Sequence, residues 1–229
     1  MENILKRRRA MIAQTGGATP ILPAEYQQVE WIGSNGSQTY IDSGVILTND
    51  SLRIKTKVQI GAPGQYFKFI CGQANNSSTS SWVALYKSSS KKITFKLNGN
   101  SSDNSIQSSE TTNNSDLLID AFVSGGDTES AYAEMKVEEN GVSTTYSGTY
   151  AVNNYAKKLW IMGTSYQAPL GLNGKMYFCT VWNGGEKVFD GIPCYRKSDS
   201  VIGLYDLVSE TFKTNSGTGT FTKGANVTV

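Results

Sequence analysis

Short runs in which apolar and polar residues alternate make up most of the chain after residue 20. In the clearest run, Leu52, Ile54 and the following even-numbered residues alternate with Arg53, Lys55 and the following odd-numbered residues as far as Ile60. A period of two places the two sets on opposite faces of a β-strand, so one face is expected to be buried and the other wet. Runs of this kind occupy residues 38–45, 52–60, 66–72, 82–86, 91–97, 117–123, 131–138, 142–148, 158–162, 175–182 and 203–207.

Gly, Asn and Ser clusters separate these runs, as turns separate strands. Asn140-Gly141 is the strongest hairpin signal, because both residues tolerate the left-handed backbone of a two-residue turn. Strands do not alternate with helices, and no repeat is visible. The sequence therefore predicts an all-β fold, an antiparallel two-sheet sandwich or jelly roll, over residues 21–229. A chain of 229 residues buries a sizeable core without bridges, so Cys71, Cys179 and Cys194 are expected to be buried thiols.

Residues 1–20 differ from the rest. Four apolar residues flank a run of four cations from Lys6 to Arg9, and Gly16, Gly17 and Pro20 follow. This pattern predicts a short helical arm and a hinge. Its apolar stretch is shorter than a secretory signal or a membrane span requires, so we expect neither at this end. The arm residues expected to anchor the protein to a partner are Ile4, Leu5, Arg7, Arg8, Arg9, Met11 and Ile12.

The chain has no histidine, which excludes Ser-His-Asp and Cys-His nucleophiles and zinc sites that contain histidine. Lys and Arg number 21 against 19 Asp and Glu, a net charge of +2, so nucleic acid is not an expected partner. Carboxylate chemistry remains open. The densest acidic cluster is Glu134, Glu138 and Glu139, but Ala133, Met135 and Val137 alternate with it, so these carboxylates are expected to be solvated rather than catalytic.

Aromatic rings offer a second kind of site, because they match the C–H face of a sugar. We expect Trp82, Tyr86, Trp160 and Trp182 in the core, and Tyr166 and Tyr195, in predicted loops, as glycan contacts. Asp103, Asp116, Asp127 and Asp199 also lie in predicted loops, but without DxDxDG spacing, so turn chemistry explains them and no metal or cofactor is expected.

Several segments resemble concanavalin A-like (laminin-G-like) jelly-roll domains of phage and prophage structural proteins from gut bacteria. The opening segments are 22–32 (LPAEYQQVEWI) and 36–45 (GSQTYIDSGV). The closing segments are 172–178 (LNGKMYF), 192–196 (IPCYR), 203–206 (GLYD) and 215–221 (NSGTGTF). The resemblance implies that Tyr40, Ile41, Leu204 and Tyr205 are core residues and that Gly203 and Asp206 shape a bend. The family's sandwich-glucanase ExDxE motif is absent from the sequence.

This resemblance implies a phage virion surface protein without enzymatic activity: a capsid decoration, head fibre or tail fibre component that displays a lectin-like domain. The expected partners are other virion proteins, further copies of the chain, and host-surface glycans in a second role of adhesion. No membrane partner is expected. Two alternatives remain open, a free carbohydrate-binding module and a glycan-cleaving enzyme in which Glu138 acts.

Overall fold

The computed structural model describes residues 22–36, 38–48, 51–62, 64, 67–73, 83–97, 104–125, 128–152, 158–163 and 171–228. The N-terminal arm and its predicted helix lie outside these residues. Throughout the described ranges the secondary structure is strand and turn, without a helix. No described segment therefore has the long apolar helix that would cross a membrane.

Seventeen strands are present in the described residues. They are β1 (Tyr26–Gln28), β2 (Ile32–Asn35), β3 (Ile41–Ile46), β4 (Leu52–Ile60), β5 (Lys68–Gly72), β6 (Ala84–Lys87), β7 (Lys92–Lys96), β8 (Ser105–Glu110), β9 (Asp116–Val123), β10 (Thr128–Glu139), β11 (Val142–Val152), β12 (Lys158–Ile161), β13 (Asn173–Asn183), β14 (Glu186–Arg196), β15 (Ile202–Asp206), β16 (Thr211–Thr214) and β17 (Thr222–Lys223).

The strands form two antiparallel sheets. In the described chain the large sheet has 11 strands, with the path β11-β10-β9-β4-β13-β14-β15-β16. Off this path, β1 pairs with β14, β2 with β13, and β17 with β2. The small sheet has six strands in the order β3-β12-β5-β6-β7-β8. The prediction of an all-β, antiparallel two-sheet fold is confirmed, and the arrangement is consistent with a jelly-roll sandwich.

The core lies between the two sheets. On β4 the side chains of Leu52, Ile54, Val58 and Ile60 are fully buried, as the alternation predicts, and they join a single large cluster with residues of the small sheet such as Phe95. Burial of each large aliphatic side chain contributes about 1.5–3 kcal/mol. The intervening residues of β4 face the opposite side of the large sheet and build its outer surface.

Neither Trp160 nor Trp182 is a core residue, contrary to the sequence-based expectation. Trp160 and Trp182 are half-buried and face outward, because Leu159 and Ile161 on β12 and Val181 on β13 occupy the core positions of those strands. Trp82 lies outside the described residues. Tyr40 is also half-buried, with its ring edge-on to Trp160 at 5.0 Å, so the core position that the resemblance implies for it is wrong.

Ile41, Leu204, Tyr205 and Asp206 behave as the resemblance implies, whereas Gly203 lies inside β15, paired with Cys194 and Thr214, so the bend expected there is wrong. Ile41 and Leu204 are fully buried in the main core. Tyr205 is buried in a second cluster on the other side of β15, with Leu22, Ile192 and Cys194. Asp206 closes the turn after β15, where its carboxylate accepts hydrogen bonds from the amides of Val208 and Ser209 at 3.1 and 3.3 Å.

Strand β14 changes partner halfway along its length. Up to Gly191 it pairs with β13, and from Cys194 it pairs with β1. Pro193 lies where the partner changes, so the N–H that proline lacks is not required for pairing there. The Pro193 carbonyl accepts a hydrogen bond from Val29 N at 3.0 Å. The segments 26–28 and 32–35 therefore line the divergence between β14 and β13.

Candidate functional site

A cavity of about 420 Å³ opens on the outer face of the large sheet. Its floor comes from β10, β9, β4 and β13, four neighbouring strands of the large sheet. The lining residues are Ser51, Arg53, Asp120, Phe122, Glu134, Lys136, Trp182 and Gly185. The cavity thus combines two aromatic rings with two carboxylates and two cations.

Strand register brings these side chains together. Glu134 lies opposite Phe122, Phe122 opposite Arg53, and Arg53 opposite Trp182, so four strands contribute one row across the sheet. A second row runs beside it and places Lys136 opposite Asp120. All six residues occupy outward positions, since their neighbours along each strand, such as Ala121 and Val181, fill the core.

Arg53 contacts both a carboxylate and an aromatic ring of the cavity. Its Nε and Nη2 donate hydrogen bonds to the two carboxylate oxygens of Asp120 at 2.7 and 2.6 Å. These hydrogen bonds raise the pKa of Arg53 above its ordinary value, although partial burial opposes them. The guanidinium carbon also lies 5.1 Å from the centre of the Trp182 ring. A bidentate ion pair and a cation–π contact therefore hold the Arg53 and Trp182 side chains in place.

The opposite wall of the cavity is polar. The Tyr132 hydroxyl donates a hydrogen bond to Oε2 of Glu134 at 2.8 Å. The second carboxylate oxygen, Oε1, is not bonded to Tyr132. Lys136 is exposed and supplies an ammonium group beside it. Carboxylate acceptors, cationic donors and flat rings within one cavity are a set that can bind hydroxyl groups and apolar C–H surface together.

Glu138 and Glu139 of β10 are poor candidates for a general acid. Ala133 and Met135 are fully buried and Glu138 faces outward, so the predicted alternation is confirmed. Burial would raise the pKa of Glu139, but hydrogen bonds from Ser115 and Thr112 outweigh burial and hold that pKa below its ordinary value. A general acid needs the opposite shift.

The outer face of the small sheet carries a second aromatic group. Phe69 and Tyr86 lie on neighbouring strands with ring centres 5.5 Å apart, but they are only 5% and 8% exposed. Burial raises the pKa of Tyr86, and the Thr94 hydroxyl beside it opposes that shift. Phe69 and Tyr86 are too deeply buried to offer a free face on which a sugar could stack, and Phe67, 41% exposed and 4.9 Å from the Tyr86 ring, is the exposed ring of this group.

The structure places Tyr195 on strand β14 and not in the predicted loop. Its ring is half-buried, packs against the main core and lies 4.7 Å from the Lys223 ammonium. It does not line the cavity, and its contact with a glycan stays a prediction. Tyr166 and all the arm residues named above lie outside the described residues.

The aspartates considered as calcium ligands are paired with cations where they are described. Lys57 and Tyr177 bind Asp116, and Arg196 binds Asp199. For Asp116, burial raises the pKa, but these hydrogen bonds outweigh it and lower the pKa overall. Within the described ranges, no group of three or more Cys, Asp and Glu side chains could hold a metal ion. Asp103 and Asp127 lie outside these ranges.

No family model and no curated protein matches the chain. A putative carbohydrate binding protein from Bacteroides ovatus is similar in structure, with a TM-score of 0.52, 12% identity and coverage of 88% of this chain. This chain spans 62% of that protein.

Two further structures are less similar. The heptameric SAP-like pentraxin of Limulus polyphemus has a TM-score of 0.49, 13% identity and coverage of 90% of this chain and 97% of its own. Domains LG4-5 of the mouse laminin alpha1 chain have a TM-score of 0.45, 10% identity and coverage of 76% and 47%. At these identities the comparisons concern the fold alone. The chain has the jelly-roll sandwich architecture that the Bacteroides ovatus protein shares.

Proposed function

We propose that the protein is a lectin-like domain that binds a glycan in the cavity of the large sheet. The observation that carries this proposal is the placement of Trp182, Phe122, Arg53, Asp120 and Glu134 around one cavity of about 420 Å³. The similarity of the chain's fold to that of a putative carbohydrate binding protein from Bacteroides ovatus supports a role in glycan binding. The proposed role is binding without catalysis, since Glu138 faces outward and hydrogen bonds lower the pKa of Glu139.

Each wall has a defined task in this proposal. Trp182 and Phe122 offer ring surface to the C–H face of a sugar, while Glu134 accepts hydrogen bonds from its hydroxyl groups. Arg53 and Lys136 donate to ring and hydroxyl oxygens. Because the Asp120 carboxylate already orients Arg53, little side-chain entropy is lost when the sugar binds.

The test is retention of the full chain on a glycan array with two matched pairs of variants. Trp182→Ala removes the ring of the cavity, whereas Trp31→Ala removes another half-buried tryptophan that also lies under a cation, Lys175 at 4.8 Å, outside the cavity. Glu134→Gln changes the cavity carboxylate, and Glu138→Gln changes a carboxylate on the same strand and face that does not line it.

We expect Trp182→Ala and Glu134→Gln to weaken binding about tenfold or more, and the two controls to bind like the wild type. Equal binding by all four variants would contradict the cavity as the site. Glycan cleavage by the wild type that Glu138→Gln abolishes would favour the enzyme alternative.

We further propose that the chain is a phage virion surface protein held by its N-terminal arm. The support is the sequence resemblance and the cation run Arg7–Arg9 between apolar residues, which suits an acidic, partly apolar groove on a neighbouring virion protein. We expect deletion of residues 1–20 to abolish incorporation into particles. Unchanged incorporation of the deletion variant would contradict this anchor and favour a free carbohydrate-binding module.

A further inference from the structure

Strand β11 is a long and unprotected edge of the large sheet. It runs from Val142 to Val152, pairs with β10 on one side, and ends the strand path of the sheet in the described chain. Its sequence, VSTTYSGTYAV, has no charged residue and no proline. Natural proteins usually protect edge strands with lysine, proline, bulges or short length, because unpaired backbone groups there can pair with another strand.

The other edges of the two sheets are protected in these ways. Strand β16, at the far end of the large sheet, has four residues and carries Lys213. The edge strands of the small sheet, β3 and β8, have six residues each and carry Asp42 and Glu110. Within the described residues, β11 is therefore the edge that differs.

The hairpin turn determines which backbone groups of β11 are open. Asn140 and Gly141 both have positive φ, 52° and 79°, so Glu139 and Val142 form the hydrogen-bonded pair that closes a two-residue turn. Hydrogen-bonded and non-hydrogen-bonded pairs then alternate along the ladder. The N–H and C=O groups that point away from β10 belong to Ser143, Thr145, Ser147 and Thr149.

These four residues are exposed, and their side chains are small hydroxyl groups on one face. Tyr146 lies on the core side, where its hydroxyl accepts a hydrogen bond from Ser109 N of β8 at 3.0 Å. The small sheet thus contacts β11 from the core side and leaves its four outward residues exposed.

We propose that two copies of the chain pair edge to edge through β11, antiparallel about a two-fold axis at Tyr146. This register is centred on the regular ladder from Val142 to Tyr150 and pairs Ser143 with Thr149 and Thr145 with Ser147 of the second copy. About eight backbone hydrogen bonds form, two from each pair, and the large sheet continues through both copies.

Charge and apolar surface favour a second copy as the occupant. Two neutral strands bring no like charges together, and the charged residues of the two β10 strands stay about three strand spacings, roughly 14 Å, apart. Val142, at 69% the most exposed of the large hydrophobic side chains described, lies opposite Tyr150 of the second copy and is covered by it. An unrelated strand would satisfy the hydrogen bonds, but it would cover Val142 only if it carried an apolar side chain at the matching position.

The test measures the molar mass of the assembly that the full chain forms in solution, by light scattering and sedimentation, for the wild type and for variants at Ser147 and Val142. Ser147→Pro removes an N–H that points away from β10, so the fold is kept and the pairing is lost. Ser147→Ala keeps that N–H and is the matched control. Val142→Asp, at an exposed position, places a carboxylate against the second copy and cannot disturb the core.

We expect dimers for the wild type and Ser147→Ala, and a dissociation constant raised about tenfold or more for Ser147→Pro and Val142→Asp. A monomeric wild type would overturn the proposal, as would a dimer that both Val142→Asp and a folded Ser147→Pro leave unchanged. If Ser147→Pro does not fold, as judged by circular dichroism, Val142→Asp alone decides between these outcomes.

Discussion

Burial of the Cys194 thiol makes the stability of the fold depend on pH at alkaline values. All three cysteines are free and buried, as the sequence predicts. Burial between β15 and the second hydrophobic cluster raises the pKa of the Cys194 thiol from 9.0 to about 12, although a backbone hydrogen bond at Tyr205 opposes the shift. An unfolded chain ionises this thiol near pH 9, whereas the folded chain does not.

The sign of the pH effect follows. Below pH 9 the thiol is protonated in both states and its full contribution to stability is present. Between pH 9 and 12 the unfolded state loses a proton that the folded state keeps, so the free energy of unfolding falls by about 1.4 kcal/mol per pH unit from this group. In urea titrations at increasing pH, Cys194→Ala should lack this part of the decline. A parallel decline in wild type and variant would contradict it.

At the scale of a strand, substitution by alanine should destabilise the fold to different extents at two glycines. Gly174 of β13 has φ +155°, and a Cβ there would lie 1.9 Å from the Gln59 carbonyl oxygen of β4. Gly141 of the β10–β11 turn has φ +79° and no heavy atom within 4 Å of the Cβ position. The first site combines strain with a backbone clash, whereas the second has strain alone.

We expect Gly141→Ala to cost about 1–2 kcal/mol, a decrease of roughly 2–8 °C in melting temperature. Gly174→Ala should cost more than about 3 kcal/mol, because β4 or β13 must move. Thermal denaturation of both variants measures the difference. Equal losses would mean that β4 and β13 separate easily at this point.

Local sequence patterns predict a strand well where apolar residues on one face alternate with polar residues on the other. Every predicted run that is described became a strand, including β4, whose alternation is complete. Strand β14 was missed because Gly191 and Pro193 are typical of turns, and they are tolerated only where the strand changes partner. Short β1, β2 and β17 depend on that same divergence, which no local pattern encodes.

The cavity could be predicted only in part. The alternation identifies Arg53, Glu134 and Lys136 as outward residues, but nothing in the sequence states that Phe122 lies between Arg53 and Glu134. Register between strands separated by 67 residues, as for Arg53 and Asp120, is set by the packed sheet and not by nearby residues. Trp182 was expected in the core because it is an even number of residues from Met176, but a register shift between Met176 and Phe178 moves the core positions of β13 to Cys179 and Val181.

At the scale of the molecule, the three hydrophobic clusters formed by the described residues lie between Leu22 and Phe221. We expect these clusters to be sufficient for folding. Deletion of residues 1–20 should leave the melting temperature unchanged, whereas Leu22→Ala should lower it, because Leu22 is only 8% exposed in the second cluster. Calorimetry of both variants measures this. A deletion variant that fails to fold would show that the boundary lies elsewhere.

The position of β1 determines where tension from a tether would act. Residues preceding Leu22 lead into β1, which is bonded to β14, while Val227 N donates to Gln28 O at 3.0 Å and Val29 bridges Asn226. A pull on the arm thus loads β14 and the C-terminal segment first. Of the four strands that form the cavity floor, β10, β9 and β4 lie beyond β13, whereas β13, which carries Trp182, is bonded directly to β14. Under the two proposed roles, tension on the anchor therefore reaches the glycan site through β13.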